Sequence, residues 1–567
     1  MLKIAYAQLN YTIADFDGNA GLIIEHMRRA AADGADIVVF SELSVCGYYP
    51  GDMLEDQGFL ARLDLALDTI LLASRATPQL VSVIGTARHR RGPGKPLHNA
   101  LLAISDGAIV AEYYKQLLPT YGIFDERRHF EPGPEVACTL DVAGYKIGFM
   151  VCEDGWNDAG RDYQVNPFDA LHAAGPDLIV SINASPSDIG KRVQRHELFN
   201  AACRHTQVPL LYVNQIGGQD QLVFDGASFA VSPTQGIAFE ARRFCADYGV
   251  IGLEQGRFIA TDGAALPVPD AIGLSVPEFT RSQIVLGLRD YARRCNFSKV
   301  VVGCSGGIDS ALTLALAVDA LGKDKVFAVT MPSAFSSEGS VSDSVALCRN
   351  LDIPLYTHPI RALVEQYGAD FAQAFAAPLH GLPLENLQAR VRGTILMEYS
   401  NNFGALLLTT GNKSEISVGY CTLYGDTNGG LGLIGDLYKS EVSALSHYIN
   451  QRAGREIIPE PVLTKPPSAE LAPGQQDSDS LPPYDILDEF LKWHIEGSRL
   501  PEYEISHARK TVEQLEQSED GRKLIKRLLG MVARNEYKRR QAPPIIRVRS
   551  RAFGSGRQMP IAAHYAI

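Results

Sequence analysis

No run in this 567-residue chain is apolar over the roughly 18 residues a membrane-crossing helix needs, so a membrane partner is not expected. The opening residues, MLKIAYAQLN, lack the basic stretch and apolar core of a secretory leader. Nine cysteines (Cys46, Cys138, Cys152, Cys203, Cys245, Cys295, Cys304, Cys348 and Cys421) show no CxxC spacing. That argues against a zinc or disulfide framework and fits reduced thiols in a cytoplasmic protein. An excess of basic charge is missing too. The net charge of −12 speaks against a nucleic-acid partner, though local Lys/Arg clusters can still meet phosphates. There are no heptads or tandem repeats, and no Walker GK[ST] signature, so kinase-like γ-phosphate transfer is not expected. What remains is ordinary globular composition, 46% hydrophobic and 21% charged. Single cores stop growing at about 250–300 residues, so this length predicts two domains.

The first half alternates short apolar runs with amphipathic helices. KIAYAQL, ADIVVF, LVSVIGTA, NALLAI, KIGFMVC, DLIVSIN, PLLYVN and ASFAVS read as strands; GLIIEHMRRAAA and ARLDLALDTILLAS read as helices. Many strands with few covering helices predict a layered α/β sandwich. Residues 263–278, rich in proline and small residues, are the linker candidate between domains at 1–262 and 279–567. Beyond it, strands KVVVGC, VFAVTMP, IPLYTHPI and ALLLTTG are separated by helical stretches, which predicts a doubly wound parallel sheet. Residues 464–484 read either as a disordered connector or as a lid that orders over substrate.

Three residues stand where apolar strands end: Glu42 after ADIVVFS, Lys115 after GAIVAEYY, and Cys152 after KIGFMV. Each alone reads blandly, as a cap, a solvated tip and a core thiol. Together they supply a base for the thiol proton, an ammonium for an oxyanion, and a nucleophile for an amide carbonyl. A nearby cation is also expected to favour the thiolate. The segments FSELSVCGYYP, YYKQLLPTYGIFDERRHF and VCEDGW resemble, in order and spacing, the three motif blocks of the nitrilase family of amide hydrolases. That resemblance spans about residues 1–260. It implies a nitrilase-like α-β-β-α sandwich with Glu42 as base, Lys115 as oxyanion partner and Cys152 as nucleophile. Glu126 resembles the family's second glutamate; read alone, it is a surface partner of Arg127 or Arg128. NASPSDIGKR resembles the glutaminase members, which implies Tyr121, Ser185 and Lys191 as glutamine contacts; alone, Ser185 reads as a turn residue before Pro186.

In the second half, KVVVGCSGGIDSALTLALAV runs strand, glycine loop, helix. Glycines let backbone amides approach a polyanion, and the helix N-terminus adds positive potential. Ser-Gly-Gly-x-Asp-Ser resembles the loop of the ATP pyrophosphatases, which implies ATP at Gly303, Cys304, Ser305, Gly306, Gly307, Ile308, Asp309 and Ser310, with Asp309 holding Mg2+. LENLQARVRGTILM and LTTGNKSEISVGYCTLYGDTNGGLGLIGDLYKSEV look like blocks of NAD synthetase. They imply Thr410 and Ser468 for ATP, Glu415 for Mg2+ and substrate, and Asn386, Asp426, Lys439 and Lys538 for the acid dinucleotide deamido-NAD. Alone, Lys439 reads as a helix-end charge and 538–540 as a solvated face.

Taken together, the halves resemble the glutamine-dependent NAD synthetases: a nitrilase-like module followed by a Rossmann-like sheet with the ATP-pyrophosphatase loop. The resemblance implies that glutamine yields ammonia, which with ATP amidates deamido-NAD to NAD, AMP and pyrophosphate. It also implies a homo-oligomer formed through the synthetase domains, acting on small molecules only. Ammonia is mostly protonated at neutral pH, so a water-poor channel between Cys152 and the SGGIDS loop is expected. Two other readings stay open: an amidase fused to another ATP pyrophosphatase, such as one making GMP, and a non-catalytic nucleotide-binding scaffold.

Overall fold

The computed structural model describes residues 1–157, 162–262, 266, 274–472, 474–554 and 556–563. It divides into two compact units, Met1–Gly217 with Val223–Gly273, and Gly218–Leu222 with Leu274–Ile567. The linker expected at 263–278 falls mostly on residues outside those described. A helix, Val276–Arg294, starts where Ser275 caps the backbone N–H of Glu278. Among the described residues no helix is long and apolar enough to cross a membrane, and all nine cysteines are free thiols.

The first unit is built on two large sheets. One runs Arg257–Ala260, Asp247–Glu254, Leu2–Gln8, Ile37–Val39, Val81–His89, Leu97–Ser105, Ala108–Tyr114. The other runs Gly236–Glu240, Phe229–Ser232, Leu210–Asn214, Leu178–Asn183, Tyr145–Val151, Thr139–Val142. The central strands of the second sheet pair in parallel. They read as unbroken apolar runs because both of their faces are covered. One core cluster joins Ile4, Val39, Val83 and Leu101 of the first sheet to Phe149, Val151, Ile182 and Val213 of the second, so the sheets stack face to face. Helices Phe16–Ala32 and Gln57–Ser74 lie against the first sheet. Helices Pro167–Ala174 and Lys191–Thr206 cover the second through Phe168, Leu171 and Phe199. The order of layers is α-β-β-α.

The second unit is built on a five-stranded sheet in which every pairing is parallel: Leu355–Thr357, Val326–Thr330, Lys299–Gly303, Ala405–Thr409, Leu431–Gly432. Chain order reverses between Lys299–Gly303 and Ala405–Thr409. The loops leaving their C-terminal ends therefore diverge and open a crevice, where such sheets bind ligands. Helix Leu382–Phe403 packs on Val301, Val329 and Leu407. Near the C-terminus, helices Tyr484–Ile495, Glu502–Glu516 and Glu519–Arg534 form a cluster through Leu487, Leu491, Val512 and Leu528.

Candidate functional site

Glu42 reaches the core of the first unit because the chain after Ile37–Val39 crosses strand Val81–His89 at close range. Phe40 N donates to Val83 O (2.9 Å) and Val45 N to Gly85 O (3.1 Å). A Cβ on Gly85 would sit 2.3 Å from Leu43 N, so only glycine permits this crossing. Lys115 follows strand Ala108–Tyr114, anchored by its N–H on Asn99 O (2.9 Å). Cys152 turns sharply out of strand Tyr145–Val151 with a left-handed φ of 46°, unusual for a non-glycine residue.

Lys115 Nζ donates to Glu42 Oε1 (2.7 Å) and to Glu126 Oε1 (2.8 Å). All three side chains are at most 1% exposed. Asn99 Nδ2 donates to Glu42 Oε1 (2.8 Å), Tyr48 OH to Glu126 Oε1 (2.7 Å), and Ala184 N to Glu42 Oε2 (3.0 Å). Burial alone would lower the Lys115 pKa, but Glu126 and Glu42 outweigh it and hold the ammonium charged. Burial, with Glu42 nearby, pushes Glu126 up to about 7 despite the opposing lysine. One cation thus serves two carboxylates. The expected thiolate is corrected: burial and the Glu42 charge push Cys152 well above the usual thiol range, outweighing Lys115. The resting group is a thiol beside a base. The reading of Glu126 as a surface ion pair fails as well, since Arg127 pairs with Glu131 (2.6 Å) and Arg128 with Asp52 (3.0 Å).

Around this cluster lie groups suited to a zwitterion. Glu153 accepts from Tyr121 OH (3.0 Å) and Tyr163 OH (2.8 Å). Lys191 Nζ stands 3.7 Å over the Trp156 ring. Ser185 is buried; its Oγ accepts from Arg195 Nε (3.2 Å), and Arg195 pairs with Asp225 (2.8 Å). Sequence reasoning assigned no role to Glu153, Tyr163, Asn99 or Arg195. The pattern that carries Glu153, a carboxylate directly after the nucleophile, is visible in VCEDGW.

In the second unit, the loop after Lys299–Gly303 opens helix Ile308–Leu321. Gly306 has φ 77°, and a Cβ there would lie 2.3 Å from Ser340 O. Ser305 Oγ and Ser310 Oγ are 3.2 Å apart and brace the turn. Asp309 lies in the first turn of that helix. Its Oδ1 accepts from Asn412 Nδ2 (2.9 Å) and its Oδ2 from Lys439 Nζ (2.5 Å), which is also 3.6 Å from Glu415. Asn412 caps helix Lys413–Val418 and so fixes Glu415 as well. Burial, then the Asp309 charge, pushes Glu415 up to about 8. Lys439 begins helix Lys439–Ala453. A cation at that end opposes the dipole, so the helix-end reading fails and its two carboxylate partners account for its place.

A cavity of about 320 Å³ opens over this cluster. Its walls include residues 303–310, Thr410, Glu415, Asp426, Lys439 and Ser468, all named from the sequence. Asn386 and Lys538 do not line it. Asn386 accepts from Thr422 Oγ1 (2.8 Å), and Thr422 N donates to Asp426 (2.7 Å). Lys538 Nζ donates to Gly419 O (2.8 Å) and Cys421 O (2.7 Å), so it is not part of a solvated face. Both therefore shape the wall that carries Cys421 and Asp426. Arg392, Lys465 and Asp477 also line the cavity without having been singled out. Residues 465–471 form part of that wall, with Lys465 bonded to Ser340 Oγ (3.0 Å) and paired with Asp343 (2.8 Å).

Comparison with known proteins agrees with this division. Residues 3–247 match the carbon-nitrogen hydrolase family and residues 280–542 the NAD synthase family. The glutamine-dependent NAD(+) synthetase of Synechocystis sp. is 41% identical over 99% of both chains. The structure of the glutamine-dependent NAD+ synthetase of Acinetobacter baumannii, in complex with ADP, covers 99% of this chain and 98% of its own at 34% identity and a TM-score of 0.76. The enzyme of that name from Cytophaga hutchinsonii shares the fold at a TM-score of 0.81 and 19% identity, over 99% of this chain and 98% of its own. A match through both halves separates this chain from an amidase fused to some other ATP pyrophosphatase. By these matches along its whole length, the chain belongs to the glutamine-dependent NAD(+) synthetase family.

Proposed function

We propose that the chain hydrolyses glutamine at Cys152 and uses the ammonia, with ATP, to convert deamido-NAD to NAD, AMP and pyrophosphate. The observation that carries this reading is a fully buried ammonium, Lys115, held between Glu42 and Glu126 beside the Cys152 turn. Glu42 Oε2 accepts from Ala184 N and has a second lone pair for the thiol proton. As that proton leaves Sγ, sulfur attacks the carboxamide carbon, and the oxyanion forms against the Lys115 ammonium. Glu42 returns the proton to the departing nitrogen, releasing ammonia and leaving a thioester. It then takes a proton from the water that frees glutamate. Glu153 offers the anion an α-ammonium group needs, and Lys191 the cation for its carboxylate; Tyr121 and Ser185 complete the polar surround.

In the second unit, the loop amides of residues 305–310 and the start of helix Ile308–Leu321 face the phosphates. The nicotinate carboxylate attacks the α-phosphorus, pyrophosphate leaves, and ammonia then displaces AMP. Asp309 and Glu415 give oxygen-only donors, the set Mg2+ takes alongside substrate phosphates. Two carboxylates share one lysine there, and Glu415 is pushed up to about 8, so a further cation fits. Mg2+ held by Asp309 and Glu415 would neutralise phosphate charge. Thr410 and Ser468 flank the nucleotide; Lys439 meets phosphate; Asp426, with Asn386 and Lys538 behind it, borders deamido-NAD.

Two variants test the reading together. Cys152→Ala should abolish synthesis from glutamine and leave synthesis from ammonium salts. Asp309→Asn should abolish synthesis from either donor while glutamine hydrolysis continues. Loss of both reactions in Cys152→Ala, or unchanged synthesis in Asp309→Asn, would contradict it.

A further inference from the structure

Asp154 is fully buried two residues after the thiol and has no part in the chemistry above. Its Oδ1 accepts from Gln116 N (3.0 Å) and Leu117 N (2.8 Å), and its Oδ2 from Val151 N (3.0 Å) and Tyr113 OH (2.9 Å). Three of these donors flank Lys115 in sequence; the fourth immediately precedes Cys152. We propose that Asp154 is the positioning residue that sets the Lys115 ammonium against the Cys152 sulfur, joining the two chain segments through one carboxylate. This inference rests on the glutaminase reading of Cys152.

The argument is one of donor counting and strain. Four converging donors need four lone-pair sites, which an ionised carboxylate has. An amide of the same shape must turn its NH2 toward one pair of donors, so the Asp154→Asn change sets donor against donor in a dry site. Cys152 meanwhile holds a left-handed backbone at φ 46°, a conformation that persists only where its surroundings over-determine it. The Asp154 bond to Val151 N holds the residue just before that turn; the bonds to Gln116 N and Leu117 N hold the chain just after Lys115. Since Lys115 is linked to Glu42, registering these segments also registers the base with the sulfur. Burial pushes Asp154 up to about 6, while the Leu117 N–H and the Lys115 charge oppose that rise and favour the carboxylate.

The test compares Asp154→Asn and Tyr113→Phe with the wild type in the full-length chain. It reads glutaminase kcat and KM, NAD synthesis from ammonium salts, and the pH profile of Cys152 alkylation by iodoacetamide. Asp154→Asn should lower glutaminase kcat about 100-fold, the scale of a small misplacement of reacting groups, with KM held within about threefold. Alkylation should change its pH dependence, because the thiol no longer meets Lys115 at the same distance. Synthesis from ammonium should be unchanged. Tyr113→Phe removes one donor and should give the same pattern at about three- to tenfold. Normal kcat and an unshifted alkylation profile in Tyr113→Phe would overturn the proposal even if Asp154→Asn fails to fold. So would a kcat loss in Asp154→Asn matched by equal loss of ammonium-driven synthesis. A wild type that hydrolyses no glutamine defeats the glutaminase reading instead, which keeps the two failures distinct.

Discussion

The two units hold the same electrostatic device in opposite settings. Lys115 lies between Glu42 and Glu126, and Lys439 between Asp309 and Glu415. In each, one carboxyl is pushed upward, Glu126 to about 7 and Glu415 to about 8, because desolvation, with the neighbouring carboxylate adding to it, outweighs the shared ammonium. They differ in what surrounds them. The first triad is enclosed and bonded by Asn99, Tyr48 and Ala184, leaving little for a ligand to add except the reacting group. The second opens on a cavity of about 320 Å³ with a phosphate-suited loop at its rim. A closed triad suits proton transfer and oxyanion stabilisation; an open one suits capture of a further cation with its phosphates. On the proposed reading the same charges serve two chemistries, and enclosure decides which.

The sharpest way to break this comparison is to remove each lysine. Lys115→Met should lower glutamine-driven synthesis about 100- to 1,000-fold, the scale of losing a main oxyanion donor, and spare ammonium-driven synthesis. Lys439→Met should lower both. Equal damage to both reactions from Lys115→Met would erase the distinction. Next in size is a pH effect. With Glu126 at about 7, that carboxyl takes up a proton below that pH and no longer shares the Lys115 charge. Glutamine hydrolysis should then fall about tenfold per unit below pH 7 and level off above it, in a steady-state profile. The stability sign runs the other way. The folded chain binds a proton between 4.5 and about 7 that the unfolded chain lacks, so Glu126 supports folding at low pH, and that contribution is lost as pH rises through 7. Gly306→Ala should cost about 1–3 kcal/mol in chemical denaturation and raise KM for ATP alone, since the left-handed loop would be strained. Smallest, Asn386→Ala should raise KM for deamido-NAD about two- to tenfold and leave KM for glutamine unchanged.

Much of this layout is legible in the sequence, for reasons visible in particular segments. Apolar runs such as KIGFMVC and DLIVSIN stand out because both faces of the strands are covered. Glu42 and Cys152 show themselves because each follows such a run, while Lys115 follows the partly exposed edge strand Ala108–Tyr114. The SGGIDS loop carries its own geometry in its glycines. The residues that escape notice act across long sequence separations. Asn412 holds Asp309 from 103 residues away, and Tyr48 holds Glu126 from 78. The ionisation of Cys152 is misjudged from sequence because the lysine is visible there, whereas the depth of burial is not. Helix Glu502–Glu516 leaves little apolar trace because it buries only Ala508 and Val512.

The most direct test of the account is the yield of NAD, AMP and pyrophosphate from deamido-NAD and ATP, measured with glutamine and separately with ammonium salts. The account predicts that both donors support synthesis, with NAD, AMP and pyrophosphate in equal amounts and at least one glutamate for each NAD made from glutamine. Release of ADP and phosphate in place of AMP and pyrophosphate, or synthesis from neither donor, would contradict it.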